Sequence, residues 1–168
     1  MSSRAIRTVL FVCVAIVIDQ RRNSGERRLL VSTPDENRIA ETSAWLQRTS
    51  QDMRAAAHGL RAEPPLLDDV VFHCQQACEK ALFAFLIWHG IPYRETHDLT
   101  EVGGQCVEID PSLEPFVQRV APLSEYASLY RYPGGPEEPS REDTSEALNA
   151  THALTQEVLD RLPEEIKG

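Results

Sequence analysis

One segment of eighteen residues, 71–88, constrains the fold of this chain more than any other. Its sequence, VFHCQQACEKALFAFLIW, is amphipathic in its first half and apolar in its second. On a helix with about 100° between residues, one arc holds the polar side chains as far as Lys80 and then fills with Phe83, Leu86 and Ile87. The polar members of this arc are Asp68, Asp69, His73, Gln75, Gln76, Glu79 and Lys80. A helix with a solvated first half and an enclosed second half is typical of the centre of a bundle, or of a bundle that dimerises.

Apolar residues recur at helical spacing in four further segments, at about residues 35–61, 97–107, 113–130 and 141–162. Helix-start and helix-stop signals separate these segments. The signals are Ser32-Thr33-Pro34-Asp35, Pro64-Pro65, Gly90, Thr96 as an N-cap, and Ser140 or Asp143. We expect Gly103-Gly104 to weaken the third helix and Pro122 to kink the fourth.

No strand pattern is evident after residue 34. The sequence therefore predicts an all-α fold, an antiparallel up-and-down bundle of four or five helices that occupies residues 35–168.

Charge is distributed unevenly along the chain. Residues 1–34 carry six Arg against two acidic residues, a balance of +4, whereas residues 35–168 carry eleven Lys and Arg against twenty-four Asp and Glu, a balance of −13. An acidic body disfavours generic binding to nucleic-acid phosphates, which depends on neutralisation by Lys and Arg, but it is compatible with a local basic site. The same charge favours solubility or a basic partner.

The amino terminus joins Arg4 and Arg7 to an apolar run at residues 9–18. This arrangement resembles a signal peptide over residues 1–22, but no small-x-small cleavage site follows it. The run is also too short to span a bilayer as a helix. We expect residues 1–34 to be a poorly ordered extension or to lie outside the native domain. We also expect a cytoplasmic protein without a membrane association.

Four cysteines are present, and two of them, Cys74 and Cys78, lie one helical turn apart in the apolar helix. Free Cys in such a position behaves as a small hydrophobe. A zinc site would need two more converging ligands, and His73 points about 100° away from Cys74. We expect reduced thiols, no bound metal and no cofactor.

The order of residues from Phe72 to Leu86, FHCQQACEKALFAFL, resembles a helix of the HEPN domain family, F-H-x-Q-Q-A-x-E-K-x-L-x-A-x-L. Three more matches stand in the order of the family, and together the similarity covers about residues 38–162. They are Ala44-Trp45-Leu46 with Asp52-Met53 and Ala55-Ala56, then Thr96-His97-Asp98-Leu99, then Leu123 and Tyr126 before Tyr130-Arg131-Tyr132-Pro133.

The resemblance implies a four- or five-helix bundle that commonly dimerises and has a link to nucleotide or RNA chemistry. Many members of the family are ribonuclease toxins with an R-x4–6-H motif, often paired with a nucleotidyltransferase antitoxin. Others are non-catalytic partners of such a transferase.

The nuclease motif is missing from this sequence. None of the five His has an Arg five, six or seven positions before it, and residues 132–138, which follow Arg131 where the family's catalytic Arg is expected, contain no His. Cleavage through the 2′-hydroxyl needs a base near neutral pH, for which His is suited, and a cation that stabilises the phosphorane-like transition state. Arg131 supplies only the cation, and the acidic residues after Pro136 would repel a phosphate.

Structural and functional interpretations of the remaining residues stay open. Arg131 and Tyr132 either end a helix or contact phosphate and base. We expect Glu79 and Lys80 to pair with neighbouring helices, His73 to be partly buried, and His97 to cap a helix. The aromatic residues expected in the core or a dimer interface are Trp45, Phe83, Phe85 and Trp88. The candidate ligand-binding residues are Arg131, Tyr132, Lys80, Gln76 and His73, and the catalytic candidates are Arg131 and His97.

The sequence thus favours a homodimeric binding or regulatory module, associated with nucleotide or RNA and paired with a minimal nucleotidyltransferase in a toxin–antitoxin-like system. One alternative is a ribonuclease toxin with a rearranged site formed by Arg131 and His97. A further alternative is a purely structural dimerisation domain.

Overall fold

The computed structural model describes residues 33–94, 96–126 and 138–167, and all regular structure within these ranges is helical. The helices are α1 (Pro34–Arg61), α2 (Leu67–Trp88), α3 (Leu99–Ile109), α4 (Glu114–Val120), α5 (Arg141–Asp160) and α6 (Glu164–Lys167). Short 3₁₀ helices lie on either side of α4, at Pro111–Leu113 and Ala121–Glu125. The predicted all-α bundle is confirmed. The predictions for residues 1–32 and for the end of the fourth helix lie outside the described residues.

The two long helices begin and end where the sequence signals indicate. Thr33 is the N-cap of α1, because its hydroxyl accepts a hydrogen bond from the Glu36 amide while the Glu36 carboxylate accepts one from the Thr33 amide. This capping box with Pro34 at the first helical position fixes the start of α1. Gly90 has a φ of 70°, the left-handed conformation that ends a helix without strain for glycine, and it follows α2.

Helix α2 is the core of the bundle and packs on α1, α3 and α5. Its residues from Ala81 to Ile87 are all buried, with at most 8% exposure. By length and composition α2 is apolar enough to cross a membrane, but 78% of its most apolar window is buried inside the bundle. Phe83 and Phe85 therefore belong to the core of a single chain.

Aromatic side chains of α1, α2 and the segment that follows α2 form a cluster. The ring of Trp45 lies edge-on to Phe83 with 5.4 Å between centroids, and Tyr93 stacks on Phe83 at 4.2 Å. The Arg38 guanidinium lies 5.3 Å from the centre of the Trp88 ring. Both Trp45 and Trp88 are partly buried against the core, as expected for its aromatic residues.

Helix α3 begins two residues later than predicted, and Thr96 is not its N-cap. The Asp98 side chain accepts a hydrogen bond from the Thr100 amide at 2.8 Å and caps the helix, because Asp98 immediately precedes the first buried residue, Leu99. The Thr96 hydroxyl accepts instead from the Asp98 amide at 3.2 Å.

Gly103 and Pro122, which were expected to disturb the third and fourth helices, have identifiable structural roles. A Cβ atom on Gly103 would lie 2.3 Å from Val117 Cγ1, so this glycine lets α3 and α4 approach closely and does not interrupt α3. A kink was predicted at Pro122, and this residue lies where α4 passes into the 3₁₀ helix Ala121–Glu125.

The last long helix, α5, begins at Arg141 and is capped by Ser140, whose hydroxyl accepts a hydrogen bond from the Asp143 amide at 3.1 Å. It ends at Asp160, and the short helix α6 that follows was not predicted. Arg161 then joins this end of the chain to the end of α3, because its guanidinium donates to Asp110 at 2.6 Å and to Ser112 at 2.7 Å. Hydrogen bonds from Ser112 and Arg161 lower the pKa of Asp110 to about 2.

Candidate functional site

The polar residues of α2 meet α1 at a single carboxylate, Asp52. One Asp52 oxygen contacts His73 Nδ1 at 2.9 Å, and the other accepts a hydrogen bond from Lys80 Nζ. Lys80 Nζ also donates to Gln76 Oε1 at 3.2 Å. His73 and Lys80 lie two helical turns apart on α2, so one α1 side chain bridges that distance and pins the two helices together.

The same line of hydrogen bonds continues along α2 to the segment before α3. Gln76 Nε2 donates to Gln75 Oε1 at 2.7 Å, and Gln75 Nε2 donates to Glu79 Oε2 at 2.9 Å and to the His97 carbonyl at 3.3 Å. His97 Nδ1 contacts the same Glu79 oxygen at 3.0 Å. We call this set the inner polar chain; its members are Asp52, His73, Gln75, Gln76, Glu79, Lys80 and His97.

Burial shows that much of the inner polar chain is internal structure. Gln75 is fully buried and Glu79 is 7% exposed, although both were assigned to a solvated arc of α2. The prediction that these two residues lie on a solvated arc was wrong, because the segment before α3 that contains His97 covers them. A buried amide and a buried carboxylate need hydrogen-bond partners, and both have them here. Lys80 pairs with Asp52 of the neighbouring helix α1 and His73 is partly buried, as expected. Glu79 was also expected to pair with a neighbouring helix, but its partner is His97 in the segment before α3.

His97 is the exposed end of the inner polar chain. Its Nδ1 contacts Glu79, while 61% of its side chain remains accessible to solvent. The helix cap expected from His97 is supplied by Asp98, so that expectation was wrong. A carboxylate on Nδ1 orients the ring and leaves the second nitrogen open to solvent, which is the geometry of a positioned base.

Arg131 and Tyr132 lie outside the described residues, so their position relative to Lys80 and His97 stays a prediction. Among the candidate residues that are described, His73, Gln76 and Lys80 share one network. His97 joins that network through Glu79 and Gln75.

The three cysteines that the structure describes, Cys74, Cys78 and Cys106, do not contribute to this site. Burial raises the pKa of Cys74 to about 11 and that of Cys78 and Cys106 to about 12. The Cys78 thiol contacts the Thr151 hydroxyl at 3.4 Å, and the Cys106 thiol contacts the Leu82 carbonyl at 3.7 Å. These protonated thiols pack in the core, where they are poor nucleophiles and poor metal ligands.

Asp52 belongs to the inner polar chain, but the sequence predicts no role for it beyond its place in the family resemblance. A signal was present, because Asp52 is the sole acidic residue between positions 48 and 61, a stretch with Arg48, Arg54 and Arg61. An isolated carboxylate on the half-buried side of a basic stretch of helix indicates an ion pair with a neighbouring helix.

The fold and the network define a helical-bundle domain in which a polar stretch of the core helix is linked to the helix before it. A sequence model of the HEPN domain matches residues 42–162, which is most of the chain. The chain belongs to the HEPN domain family, and this membership suggests a nucleotide- or RNA-related function. No match was found among curated proteins or among solved structures.

Proposed function

We propose that this protein is a nucleotide- or RNA-associated binding or regulatory module that does not cleave RNA. One observation carries the proposal: none of the five His in the sequence has an Arg at the spacing of the R-x4–6-H motif. Without that pair, the family's positioned base and transition-state cation are not both present.

The contacts of the inner polar chain support the same conclusion. Lys80 and His73 both contact Asp52, and Glu79 contacts both Gln75 and His97. Groups engaged in this way between helices contribute to cohesion of the bundle, so a ligand meets them only at their exposed edges. We place ligand binding at the partly exposed Gln76, Lys80 and His73 together with Arg131 and Tyr132.

The proposed partner is a minimal nucleotidyltransferase in a toxin–antitoxin-like pair, and the proposed assembly is a homodimer. The balance of −13 over residues 35–168 supports a partner with a basic surface. If a minimal nucleotidyltransferase is encoded beside this chain, co-expression of the two proteins followed by gel filtration should give one complex that dissociates at high salt. Separate elution of the two proteins at low salt would contradict this pairing.

Binding is tested by titrating ATP into the protein in a calorimeter. Arg131→Ala should weaken binding at least about tenfold, because a hydrogen bond to a charged group contributes about 1.5–3 kcal/mol. Arg141→Ala, which removes an exposed arginine at the start of α5, serves as the matched control. Equal affinities of wild type and Arg131→Ala would contradict the assignment of Arg131. Absence of any binding would favour the purely structural dimerisation domain.

The orientation of His97 by Glu79 favours a second candidate, a ribonuclease toxin with a rearranged site of Arg131 and His97. In that case the 3.0 Å contact to Glu79 holds His97 as the base, and Arg131 supplies the cation. This candidate predicts growth arrest on expression, relieved by either His97→Ala or Arg131→Ala. Normal growth of cells that accumulate the folded wild-type protein would contradict it.

A further inference from the structure

The outer face of α1 carries a basic stripe that the inner polar chain does not use. Its three members are Arg54, His58 and Arg61, and all are exposed. At about 100° per residue they fall within an arc of about 60°, and at 1.5 Å per residue they span about 10 Å along the helix. The basic stripe is therefore a continuous row on one side of α1.

No member of the basic stripe forms an ion pair with a described carboxylate. This is unexpected where acidic residues outnumber basic ones by about two to one, as over residues 35–168. The nearest carboxylate in the same helix, Asp52, lies about 200° from Arg54 around the axis and is engaged by Lys80. The positive charge of the stripe is thus left available on the surface.

A groove of about 700 Å³ adjoins this stripe, between α1 and the α5–α6 end of the chain. A second, shallower depression of about 530 Å³ runs along the stripe itself and shares Gln51 and Arg54 with the groove. Polar side chains that line the groove include Ser50, Gln51, Arg54, His152, Gln156 and Lys167. Glu165 is the single carboxylate among its described lining residues.

We propose that the basic stripe and the groove form a binding site for single-stranded RNA, with one nucleotide in the groove and the following phosphates along α1. The proposal rests on the proposed nucleotide- or RNA-associated function and adds the class of ligand and its site. The site is separate from Arg131 and from the inner polar chain.

Shape and chemistry favour this ligand over a duplex or an acidic protein segment. A concave site of about 700 Å³ has the size of small-molecule pockets and accepts an unstacked nucleotide, whose base a duplex would withhold. Amide, hydroxyl and imidazole groups in the groove match the edges of a base and the ribose hydroxyls. The apolar side chains of Leu46, Met53 and Leu159 provide a surface for the base.

The residues that line the groove and the basic stripe also determine whether RNA binding depends on the base sequence. Neither depression is lined by a described Phe, Tyr or Trp, and the one ring in each is an imidazole, that of His152 in the groove and that of His58 along the stripe. Since stacking on aromatic rings supplies much of the base affinity in other single-strand sites, phosphate contacts must dominate here. Binding should therefore be insensitive to sequence and steeply dependent on salt.

The test is fluorescence anisotropy with a labelled single-stranded uridine 12-mer, at several salt concentrations. The double variant Arg54→Gln/Arg61→Gln should bind about tenfold more weakly, and its log–log salt slope should fall by about 0.7 for each arginine removed. The matched control is Arg119→Gln/Arg141→Gln, which removes two exposed arginines elsewhere in the bundle. The control should bind as the wild type does, apart from a small uniform loss.

A gain of affinity supplies an independent arm. Glu165→Gln removes the carboxylate of the groove and should tighten binding of the 12-mer about twofold or more. The control Glu142→Gln, an exposed carboxylate at the start of α5, should leave affinity unchanged. A tightened variant excludes misfolding as the cause of the change.

The outcomes separate this inference from the proposed function. Equal loss in the stripe variant and its control would overturn the RNA site, while the effect of Arg131→Ala on ATP binding would still decide the proposed function. Wild-type protein that does not bind the 12-mer would also overturn the site. A shift in oligomeric state of Arg54→Gln/Arg61→Gln without RNA would assign the stripe to a contact between copies of the chain and overturn the inference.

Discussion

The two faces of α1 use charge in opposite ways. On the inner face Asp52 contacts Lys80 and His73 of α2, so its charge joins two helices. On the outer face Arg54 and Arg61 have no described acidic partner and face solvent. Charges two positions apart in the sequence thus serve cohesion on one side and remain available to a ligand on the other.

This difference shows why the polar residues of a family motif are not automatically a catalytic site. The polar residues by which the α2 sequence resembles the family form hydrogen bonds within α2, to α1 and to the segment that contains His97. Substitutions on the inner face should therefore change stability most, and those on the outer face should change binding with little effect on stability.

The largest expected effect is that of Asp52→Ala. The substitution leaves Lys80 and His73 partly buried without a carboxylate, and it should lower the free energy of unfolding by about 2–4 kcal/mol. Urea unfolding followed by circular dichroism measures the change. As a control, Asp52→Leu/Lys80→Met removes both charges and should recover part of the loss. A change below about 0.5 kcal/mol for Asp52→Ala would show that the ion pair does not hold α1 to α2.

The next effect is that of Gln75→Leu, which keeps the volume of a fully buried side chain but removes its hydrogen bonds. Glu79, Gln76 and the His97 carbonyl each lose a partner, so the free energy of unfolding should fall by about 1–3 kcal/mol. Thermal and urea unfolding should agree on the loss. If Gln75→Leu is as stable as the wild type, water satisfies these groups and the site is less enclosed than its burial indicates.

A smaller effect is expected from His97→Ala, since 61% of the His97 side chain is exposed. The loss of its contact with Glu79 should cost less than about 1 kcal/mol of unfolding free energy, as for other exposed pairs. His97→Gln, which keeps a hydrogen-bond donor, is the matched control and should lie closer to the wild type. A loss as large as that of Asp52→Ala would place His97 within the structural core of the network.

The smallest effect on stability belongs to the outer face. Arg54→Gln/Arg61→Gln should change the free energy of unfolding by no more than about 0.5 kcal/mol, because exposed and unpaired side chains contribute little. The same preparations used for RNA binding provide the unfolding curves. A large loss of stability would mean that the stripe is structural, and the contrast between the two faces would disappear.

Much of the helical architecture could be predicted from the sequence, because several helix boundaries have a local cause. Thr33 caps the helix that begins at the next residue, and Gly90 adopts the left-handed conformation just after α2. Pro122 lies in the 3₁₀ helix that follows α4. The periodic apolar pattern of α2 also correctly predicts that the second half of this helix is buried.

The site was only partly predictable, because its chemistry depends on contacts between distant residues. Helical periodicity places Gln75 and Glu79 on a polar arc, but both are buried in the fold and contact His97, 18 to 22 residues away. Asp52 is 21 and 28 residues from its two partners. The short helix α6, which lines the groove, has no apolar repeat long enough to signal a helix.

The central claim is that the polar residues of the α2 motif hold the bundle together and do not cleave RNA. The most direct test incubates the purified full chain with a labelled single-stranded RNA and follows new 5′-hydroxyl and cyclic-phosphate ends over time. The account predicts that the RNA remains intact, with no difference between wild type, His97→Ala and Arg131→Ala. Cleavage by the wild type that is lost in both variants would contradict it and identify an enzyme with a rearranged site.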